Sequence, residues 1–242
     1  MNIMNIAVIF AGGVGSRMQT KGTPKQFLNA YGKPIIIYTL EKFEYNCNID
    51  AIVVSCIKEW IDYCWESVKK FNLKKVKSIV PGGECGQASI YNGLKAAEKI
   101  SKGSDDIVLI HDGVRPLIDD ELINKNIKSV QKYGSAITCV ESKETVALVD
   151  EKSEVKDTTD RNRTRIARAP QSFYLRDILE VHERAKKDGK LDMIDSCTLM
   201  KAYHRPLYTV AGKSENIKIT TPDDYYIFKA ILEAKENSKI FS

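Results

Sequence analysis

The stretch Ile6-Ala7-Val8-Ile9-Phe10-Ala11-Gly12-Gly13 decides how the rest of the chain is interpreted, because an unbroken apolar run passes directly into glycines. The run Ile6–Phe10 is rich in β-branched residues and has no polar position, which is typical of a strand buried on both faces of a parallel sheet. Open parallel sheets bind ligands at the carboxyl ends of their strands. The sequence therefore predicts a ligand-binding loop directly after a central strand.

The glycine loop also brings two cations together. It continues through Val14-Gly15-Ser16-Arg17-Met18 and is followed by Pro24-Lys25-Gln26. Glycines let backbone N–H groups approach phosphate oxygens without an intervening Cβ, and Arg17 and Lys25 add full positive charges. We interpret this combination as a cradle for a triphosphate, with a plain tight turn as the alternative.

Two commoner glycine loops are excluded. A dinucleotide-binding fingerprint requires a third glycine three residues after Gly15, where this chain has Met18. A P-loop requires Gly-Lys followed by Ser or Thr, and no such sequence follows the glycines.

The composition predicts a sizeable hydrophobic core, and the charge does not require a nucleic-acid partner. The chain has 242 residues, of which 43% are hydrophobic, and a net charge of +5 with acidic and basic residues intermixed. We expect a single domain over residues 1–242 and a preference for anionic small molecules over nucleic acid. No apolar run approaches the length of a membrane span, so we expect a cytoplasmic protein. The six cysteines form no Cys-x-x-Cys pair, which predicts reduced, mostly buried thiols.

Short apolar runs alternate with amphipathic segments over the first 140 residues. Strands separated by helices imply a doubly wound, mostly parallel α/β sheet. The predicted strands are Ile6–Phe10, Ala51–Cys56, Val76–Val80, Ile107–His111 and Ala136–Val140, and the predicted helices lie near Ile35–Phe43, Ile61–Phe71, Gln87–Ile100 and Asp119–Lys132.

The alternation stops after Val140. Residues 141–168 are polar, with a β-prone piece at Thr145–Val149 and a turn-like Asp150–Ser153, and they predict a projecting hairpin arm suited to meet a partner subunit. Beyond the arm we predict helices at Leu175–Lys187 and Ser196–Tyr203, a strand at Leu207–Val210, a short strand-like piece at Ile217–Thr220 and a final helix from Pro222 to about Ala234, capped by Thr221.

A second candidate site follows the strand Ile107–His111. Asp112 places a carboxylate at the end of that strand, in the same crevice as the glycine loop. Because Mg²⁺ prefers one or two carboxylates together with phosphate oxygens, we interpret Asp112 as a magnesium ligand, with a turn or N-cap aspartate as the alternative. Arg115 is placed to pair with Asp112 or with a phosphate, and we expect His111 to be structural.

Several short motifs occur in an order that is shared with one enzyme family. Together they resemble the cytidylyltransferases that act on methylerythritol phosphate or ribitol phosphate, over nearly the whole chain. The resemblance implies a Rossmann-like sheet, a homodimer built by exchanged β-arms, CTP, Mg²⁺ and a product that joins CDP to a sugar alcohol. The motifs are Ala11-Gly12-Gly13-x-Gly15-x-Arg17-Met18, Pro24-Lys25-Gln26, Gly82-Gly83 with Ser89, His111-Asp112-Gly113-Val114-Arg115-Pro116, Asp160-Arg161-Asn162, Pro170-Gln171 and Ile217-Lys218-Ile219-Thr220.

The resemblance also implies residue roles. Arg17 and Lys25 would hold the triphosphate, and Lys218 would stabilise charge around the α-phosphorus; a lysine on the solvent face of an edge strand is the alternative for Lys218. Arg161 would reach the acceptor site from the partner's arm. The implied nucleotide site is Ala11, Gly12, Gly13, Gly15, Gly82 and Ser89, and the implied acceptor site is Asp112, Arg115, Thr145 and Arg161.

The segment Asp195-Ser196-Cys197 bears on which acceptor is used. An Asp-small-Cys pattern resembles the ribitol phosphate branch, which favours D-ribitol 5-phosphate over 2-C-methyl-D-erythritol 4-phosphate, the alternative acceptor. The chain also departs from the methylerythritol pattern with Ala169 before Pro170 and from many relatives with Gly86.

A nucleotide-binding regulator is disfavoured because the expected cations and Asp112 are all present. An RNA-binding protein is disfavoured because no aromatic residues lie between the arginines of the arm.

Overall fold

The computed structural model describes residues 3–13, 18 and 22–240. Within these residues short 3-10 helices occur at Lys25–Phe27 and Lys58–Trp60. The strands are β1 (Asn5–Ala11), β2 (Asn29–Ala30), β3 (Lys33–Pro34), β4 (Ala51–Cys56), β5 (Val76–Pro81), β6 (Ile107–Asp112), β7 (Ser135–Glu141), β8 (Ala147–Val149), β9 (Val155–Thr158), β10 (Arg165–Tyr174) and β11 (Thr209–Ala211). The helices are α1 (Ile35–Glu44), α2 (Ile61–Lys70), α3 (Gly86–Ile100), α4 (Asp120–Tyr133), α5 (Leu175–Lys187), α6 (Ser196–Ala202) and α7 (Pro222–Ile240).

The central sheet has the strand order β11-β7-β10-β6-β1-β4-β5. The strand β1 pairs in parallel with both β4 and β6, so that Phe10 lies opposite Ser55 on one side and Asp112 on the other. Only β10 runs antiparallel to its neighbours β6 and β7. The predicted α/β class and mostly parallel sheet are confirmed, and the carboxyl ends of β1 and β6 lie side by side as expected.

Helices cover both faces of this sheet because its central strands are apolar on both sides. In β1, Ile9 packs into one core with α1, α2 and α4, whereas Ile6 and Val8 pack into the opposite core with α3, α5 and α6. Each of these side chains is 0% exposed. Full burial of an aliphatic side chain stabilises a fold by about 1.5–3 kcal/mol, so the two cores hold the strand ends in fixed positions.

The strand β10 was not predicted. Its first three residues are exposed, and its pairing with β7 shifts register between Ala167 and Gln171, around the cis bond that precedes Pro170. A proline cannot donate a ladder hydrogen bond, and the resulting irregular pattern has no clear strand signature in the sequence.

Two other segments differ from expectation. Ile217–Thr220 is not part of a strand; instead the N–H of Ile219 donates to the carbonyl of Val114 at 2.9 Å. The last helix continues to Ile240, beyond the predicted end, while its expected cap is present: the N–H of Asp224 donates to Oγ1 of Thr221 at 3.3 Å.

The predicted arm contains a hairpin separate from the central sheet. Its strands β8 and β9 pair only with each other, in antiparallel fashion, and every residue of both is exposed. The intervening turn closes where the N–H of Ser153 donates to the carbonyl of Asp150 at 3.0 Å. None of the described helices has the length and apolar character needed to cross a membrane.

Candidate active site

The glycines after β1 pack against the loop that follows β5. A Cβ at Gly12 would lie 2.7 Å from Oγ of Ser89, and one at Gly82 would lie 3.2 Å from Cα of Gly12. Such distances leave no room for a side chain. The structure therefore brings together four predicted nucleotide-site residues from distant parts of the chain, namely Ala11, Gly12, Gly82 and Ser89.

Ser89 fixes the shape of the second loop. Its Oγ accepts a hydrogen bond from the N–H of Gly83 at 3.0 Å and donates to the carbonyl of Cys85 at 2.9 Å. Ser89 is 3% exposed and stands in the first turns of α3. Its hydroxyl is thus engaged by the loop itself, which presents the backbone of Gly82 and Gly83 to the crevice.

The structure describes only some of the other residues predicted to hold the triphosphate. Gly15 and Arg17 lie outside the described residues, so their predicted roles remain predictions. Gly13 is exposed next to Gly12. Lys25 is half-buried in a 3-10 helix anchored by its neighbour Gln26, whose Nε2 donates to the carbonyl of Ala11 at 2.6 Å. The anchor holds the Lys25 segment against the end of β1.

Three charged side chains meet at the end of β6. Oδ2 of Asp112 lies 3.2 Å from Nε of Arg115, and Oδ1 lies 2.5 Å from Nζ of Lys218. Nη1 of Arg115 also donates to the carbonyl of Asn216 at 2.6 Å, which ties the loop that carries Lys218 to this cluster. Because Ile217–Thr220 is not a strand, the edge-strand alternative for Lys218 is wrong.

The protonation state of Asp112 is set by two opposing influences. Burial, the largest, raises its pKa, but the charges of Lys218 and Arg115 outweigh burial and leave the pKa at about 2. The carboxylate is therefore ionised at neutral pH.

His111 is neutral under the same conditions. Burial lowers its pKa to about 4, and its Nε2 lies 3.0 Å from the carbonyl oxygen of Arg115. His111 is 0% exposed, which agrees with the expectation that it is structural.

A cavity of about 280 Å³ opens beside this cluster. Its walls combine the cationic side chains with residues from β10 and from the start of α6. The lining includes Asp112, Arg115, Arg168, Gln171, Asp195 and Lys218. At about 30 Å³ per water molecule, the cavity has room for roughly nine waters, which suits a small polar substrate.

Sequence reasoning missed the role of Arg168. It is half-buried, and its Nη1 donates to the carbonyls of Ser214 and Asn216 at 2.9 and 3.1 Å, so it braces the loop before Lys218. The sequence places Arg168 at the end of the polar arm 141–168 and gives it no individual role. Its position directly before the buried pair Ala169 and Pro170 was the available signal.

Thr145 and Arg161 meet each other but not the Asp112 cluster. Nη2 of Arg161 donates to Oγ1 of Thr145 at 3.2 Å, and both residues are exposed. Neither lines the 280 Å³ cavity, and Arg161 lines a different cavity beside Glu141 and Arg165. Within one chain, therefore, the predicted acceptor residues form two separate groups.

The described residues contain no cluster of three or more His, Cys, Asp or Glu side chains able to hold a metal ion. Asp112 is an ionised carboxylate at the crevice, and both of its oxygens already face cations. A metal at this place would therefore depend on phosphate oxygens for most of its ligands, as Mg²⁺ commonly does.

Comparison with known proteins decides the family. A family model described as 2-C-methyl-D-erythritol 4-phosphate cytidylyltransferase matches residues 5–234. The chain belongs to this cytidylyltransferase family. It is accordingly a nucleotidyltransferase, and enzymes of this family generally use a divalent cation.

Relatives within the family differ in their named acceptors. A ribitol-5-phosphate cytidylyltransferase of Vibrio parahaemolyticus is 58% identical over 98% of this chain and 100% of its own length. One from Streptococcus agalactiae is also 58% identical, over 98% of this chain and 99% of its own length. A 2-C-methyl-D-erythritol 4-phosphate cytidylyltransferase of Clostridium botulinum is 40% identical over 95% of this chain and 97% of its own length.

Solved structures support the same fold. The 4-diphosphocytidyl-2C-methyl-D-erythritol synthase from Anaerococcus prevotii matches with a TM-score of 0.80 and 27% identity, over 96% of this chain and 99% of that one. The mostly parallel sheet with flanking helices is thus the fold of cytidylyltransferases of this family.

Proposed function

We propose that this cytidylyltransferase transfers CMP from CTP to D-ribitol 5-phosphate, releasing pyrophosphate and forming CDP-ribitol. The observation that carries the proposal is the cavity at Asp112, Arg115 and Lys218, which lies beside the glycine loop and is lined by positive charge. The relatives that are 58% identical and named for ribitol 5-phosphate support this acceptor. 2-C-methyl-D-erythritol 4-phosphate is the alternative, favoured by the family model and by relatives at 40% identity.

The reaction needs no covalent enzyme intermediate. An oxygen of the acceptor phosphate attacks the α-phosphorus of CTP, a new P–O bond forms, and the bond to the β-phosphate breaks as pyrophosphate leaves. Catalysis of this kind consists of positioning and neutralisation of charge. The acceptor phosphate is already anionic, so the neutral, buried His111 is not required as a base.

Positioning and charge neutralisation are assigned to residues at the ends of β1, β5 and β6 and on the loop that carries Lys218. Lys25 and Arg17 are proposed to hold the triphosphate, and the backbone of Ala11, Gly12, Gly13, Gly15 and Gly82, with Ser89, to hold the nucleotide. Lys218 is half-exposed beside the cavity, where its ammonium group stabilises charge that develops at the α-phosphorus. Arg115 offers a guanidinium to the acceptor phosphate.

We further propose Mg²⁺ as the divalent cation, with Asp112 as its protein ligand. Bound Mg²⁺ would neutralise triphosphate charge; because Arg115 and Lys218 already contact the two oxygens of Asp112, this carboxylate would supply one ligand at most and phosphate oxygens would supply the others. A homodimer in which the arm brings Thr145 and Arg161 to the partner's acceptor site would unite the two groups of acceptor residues. We expect the enzyme to act in the cytoplasm.

An acceptor panel tests the proposed function. Pyrophosphate release from CTP is measured with D-ribitol 5-phosphate and with 2-C-methyl-D-erythritol 4-phosphate as alternative acceptors, and the nucleotide product is identified by mass spectrometry. We expect kcat/KM to be at least about 100-fold higher for ribitol 5-phosphate, which corresponds to a discrimination of about 3 kcal/mol. A higher kcat/KM for 2-C-methyl-D-erythritol 4-phosphate would show that this compound, and not D-ribitol 5-phosphate, is the acceptor.

A further inference from the structure

The segment between α5 and α6 forms one wall of the 280 Å³ cavity. Ile194, Asp195 and Ser196 all line that cavity. The segment is tied to two other elements by buried glutamines. Nε2 of Gln87 in α3 donates to the carbonyl of Lys190 at 2.9 Å, and Oε1 of Gln87 accepts from the N–H of Met193 at 2.7 Å.

The second glutamine, Gln171 of β10, fixes the end of the wall. Its Nε2 donates to Oδ2 of Asp195 at 2.8 Å, while its Oε1 accepts from the N–H of Cys197 at 2.8 Å. The other carboxylate oxygen of Asp195 accepts from the N–H of Thr198 at 2.8 Å. The Asp195 carboxylate is thereby locked in orientation, and each oxygen keeps a lone pair for a further donor.

Ser196 provides an independent observation. It is 2% exposed, lines the same cavity, and its Oγ has no hydrogen-bond partner in the described part of the chain. A buried hydroxyl without a partner costs about 1–3 kcal/mol, so such a group normally has a partner that is not part of the chain. A hydroxyl of a bound molecule would supply one.

We propose that Asp195 and Ser196 bind the hydroxyl groups of the acceptor's polyol chain, away from its phosphate. This inference rests on the proposed function and adds to it the residues that bind the hydroxyl groups of the acceptor. The lining of the cavity carries both signs of charge. Its cations are Arg115, Arg168 and Lys218, whereas Asp195 presents a carboxylate that Gln171 holds in place. A substrate with an anionic phosphate at one end and hydroxyl donors at the other is oriented by that arrangement, because a carboxylate accepts from hydroxyls and repels phosphate.

The first test replaces Asp195 by Asn and compares it with Asp192→Asn, a matched change at an exposed position of the same segment. Asparagine keeps an oxygen able to accept from the N–H of Thr198, but its amide nitrogen would face Nε2 of Gln171, so the thermal midpoint of this variant is measured together with its Michaelis constants. For Asp195→Asn we expect the KM for D-ribitol 5-phosphate to rise roughly 10-fold, the loss of one hydrogen bond to a charged acceptor, while the KM for CTP changes less than about twofold. Asp192→Asn is expected to change neither constant.

The direction of this change separates recognition from simple electrostatics. Removing a negative charge near a phosphate-binding site would by itself lower the KM of an anionic acceptor. Inorganic phosphate carries no polyol chain, so its Ki is expected to stay the same or fall in Asp195→Asn. An acceptor KM that is unchanged or lower in this variant would overturn the proposal.

Ser196→Ala provides a second variant whose folding is not in doubt. Because the buried Oγ has no partner in the described part of the chain, we expect the thermal midpoint to equal that of wild type or to rise by a few degrees, whereas the acceptor KM rises about 3- to 10-fold. A drop in thermal midpoint with no change in acceptor KM would show that the hydroxyl is structural and would overturn its part in the subsite. Absence of pyrophosphate release with ribitol 5-phosphate in the wild-type enzyme would instead overturn the proposed function, and the subsite with it.

Discussion

The ammonium group of Lys218 lies 2.5 Å from the carboxylate of Asp112, and the two side chains differ sharply in exposure, at 40% and 6%. Asp112 is held in the sheet at the end of β6, so it acts as a fixed anchor. Lysine has three donor hydrogens, and one contact with Asp112 leaves others for a ligand. The pair therefore positions a cation at the edge of the cavity before substrate arrives.

The first prediction is that Lys218→Ala lowers kcat about 100-fold or more, because a charged contact made in the transition state is worth about 3 kcal/mol. Lys213→Ala is the matched control. Lys213 lies on the same loop and forms an ion pair with Asp119 at 2.5 Å, but it does not line the cavity. Pyrophosphate release measured at saturating CTP and acceptor should separate the two variants. Equal losses in both would assign the effect to the loop rather than to Lys218.

The second prediction concerns Lys25, which the Gln26 anchor holds near the end of β1. Lys25→Ala is expected to lower kcat/KM for CTP about 100-fold while circular dichroism and thermal midpoint stay near wild type, since a half-buried surface cation contributes little to the core. Lys33→Ala, which removes an ion pair with Glu41 at 2.7 Å outside the crevice, is the control. Near-wild-type turnover in Lys25→Ala would exclude the residue from the mechanism.

The third prediction distinguishes two glycines of the nucleotide loops. A Cβ at Gly83 would lie 2.3 Å from Cβ of Ala88, whereas one at Gly13 would meet no atom of the described residues within 4 Å. Gly83→Ala should therefore destabilise the protein by about 1–3 kcal/mol through forced overpacking, and Gly13→Ala should leave the free energy of unfolding nearly unchanged. Urea denaturation measures both values. A raised CTP KM in the stable Gly13→Ala variant would in addition show that the nucleotide approaches Gly13.

The fourth prediction is a loss of stability in mild acid that depends on two histidines. Burial lowers the pKa of His111 and of His182 to about 4, below the value of about 6.5 in an unfolded chain. The unfolded state therefore binds protons first as pH falls, and the stabilisation present above pH 6.5 is progressively lost below it. Between pH 8 and pH 5 the expected loss is roughly 2 kcal/mol for each histidine.

Chemical denaturation at several pH values tests this fourth prediction. His111→Gln and His182→Gln should each make the free energy of unfolding less dependent on pH in that range. His204→Asn, at an exposed position, should leave the dependence as in wild type. If all three variants retain the wild-type pH profile, other groups cause the acid sensitivity.

Local sequence patterns were sufficient to predict most of the fold and the location of the site. The apolar runs of β1 and β6 are unbroken, and a parallel arrangement brings Ala11 and Asp112 to one edge regardless of the loops between them. Phosphate-binding chemistry at glycines and cations is likewise local. These features do not depend on distant contacts.

Features that depend on long-range packing were not predictable in this way. The strand β10 has an exposed arginine at its start and a proline within it, so its place between β6 and β7 follows from tertiary pairing rather than from its own pattern. Arg168 acts on carbonyls of a loop more than forty positions away in the chain, at Ser214 and Asn216. The bridge from Gln171 to Asp195 joins separate elements in the same manner.

The last prediction is that Arg161 acts in trans, in the acceptor site of a partner subunit. Within one chain Arg161 pairs with Thr145 at 3.2 Å, away from the 280 Å³ cavity. The hairpin of β8 and β9 also exposes Leu148, Val149 and Val155, each at least 50% exposed, which is costly for an isolated arm. Docking on a second subunit would cover these side chains.

Mixed dimers test this arrangement directly. Arg161→Ala and Lys25→Ala are each expected to be nearly inactive alone. If Arg161 serves the partner's site, a heterodimer of the two variants has one site with both wild-type residues and one with neither, so mixing should restore up to about one quarter of wild-type activity when subunits exchange at random. If Arg161 serves its own subunit, every site of the heterodimer lacks one of the two groups. Native mass spectrometry that shows exchanged heterodimers without any recovered activity would therefore rule out action in trans.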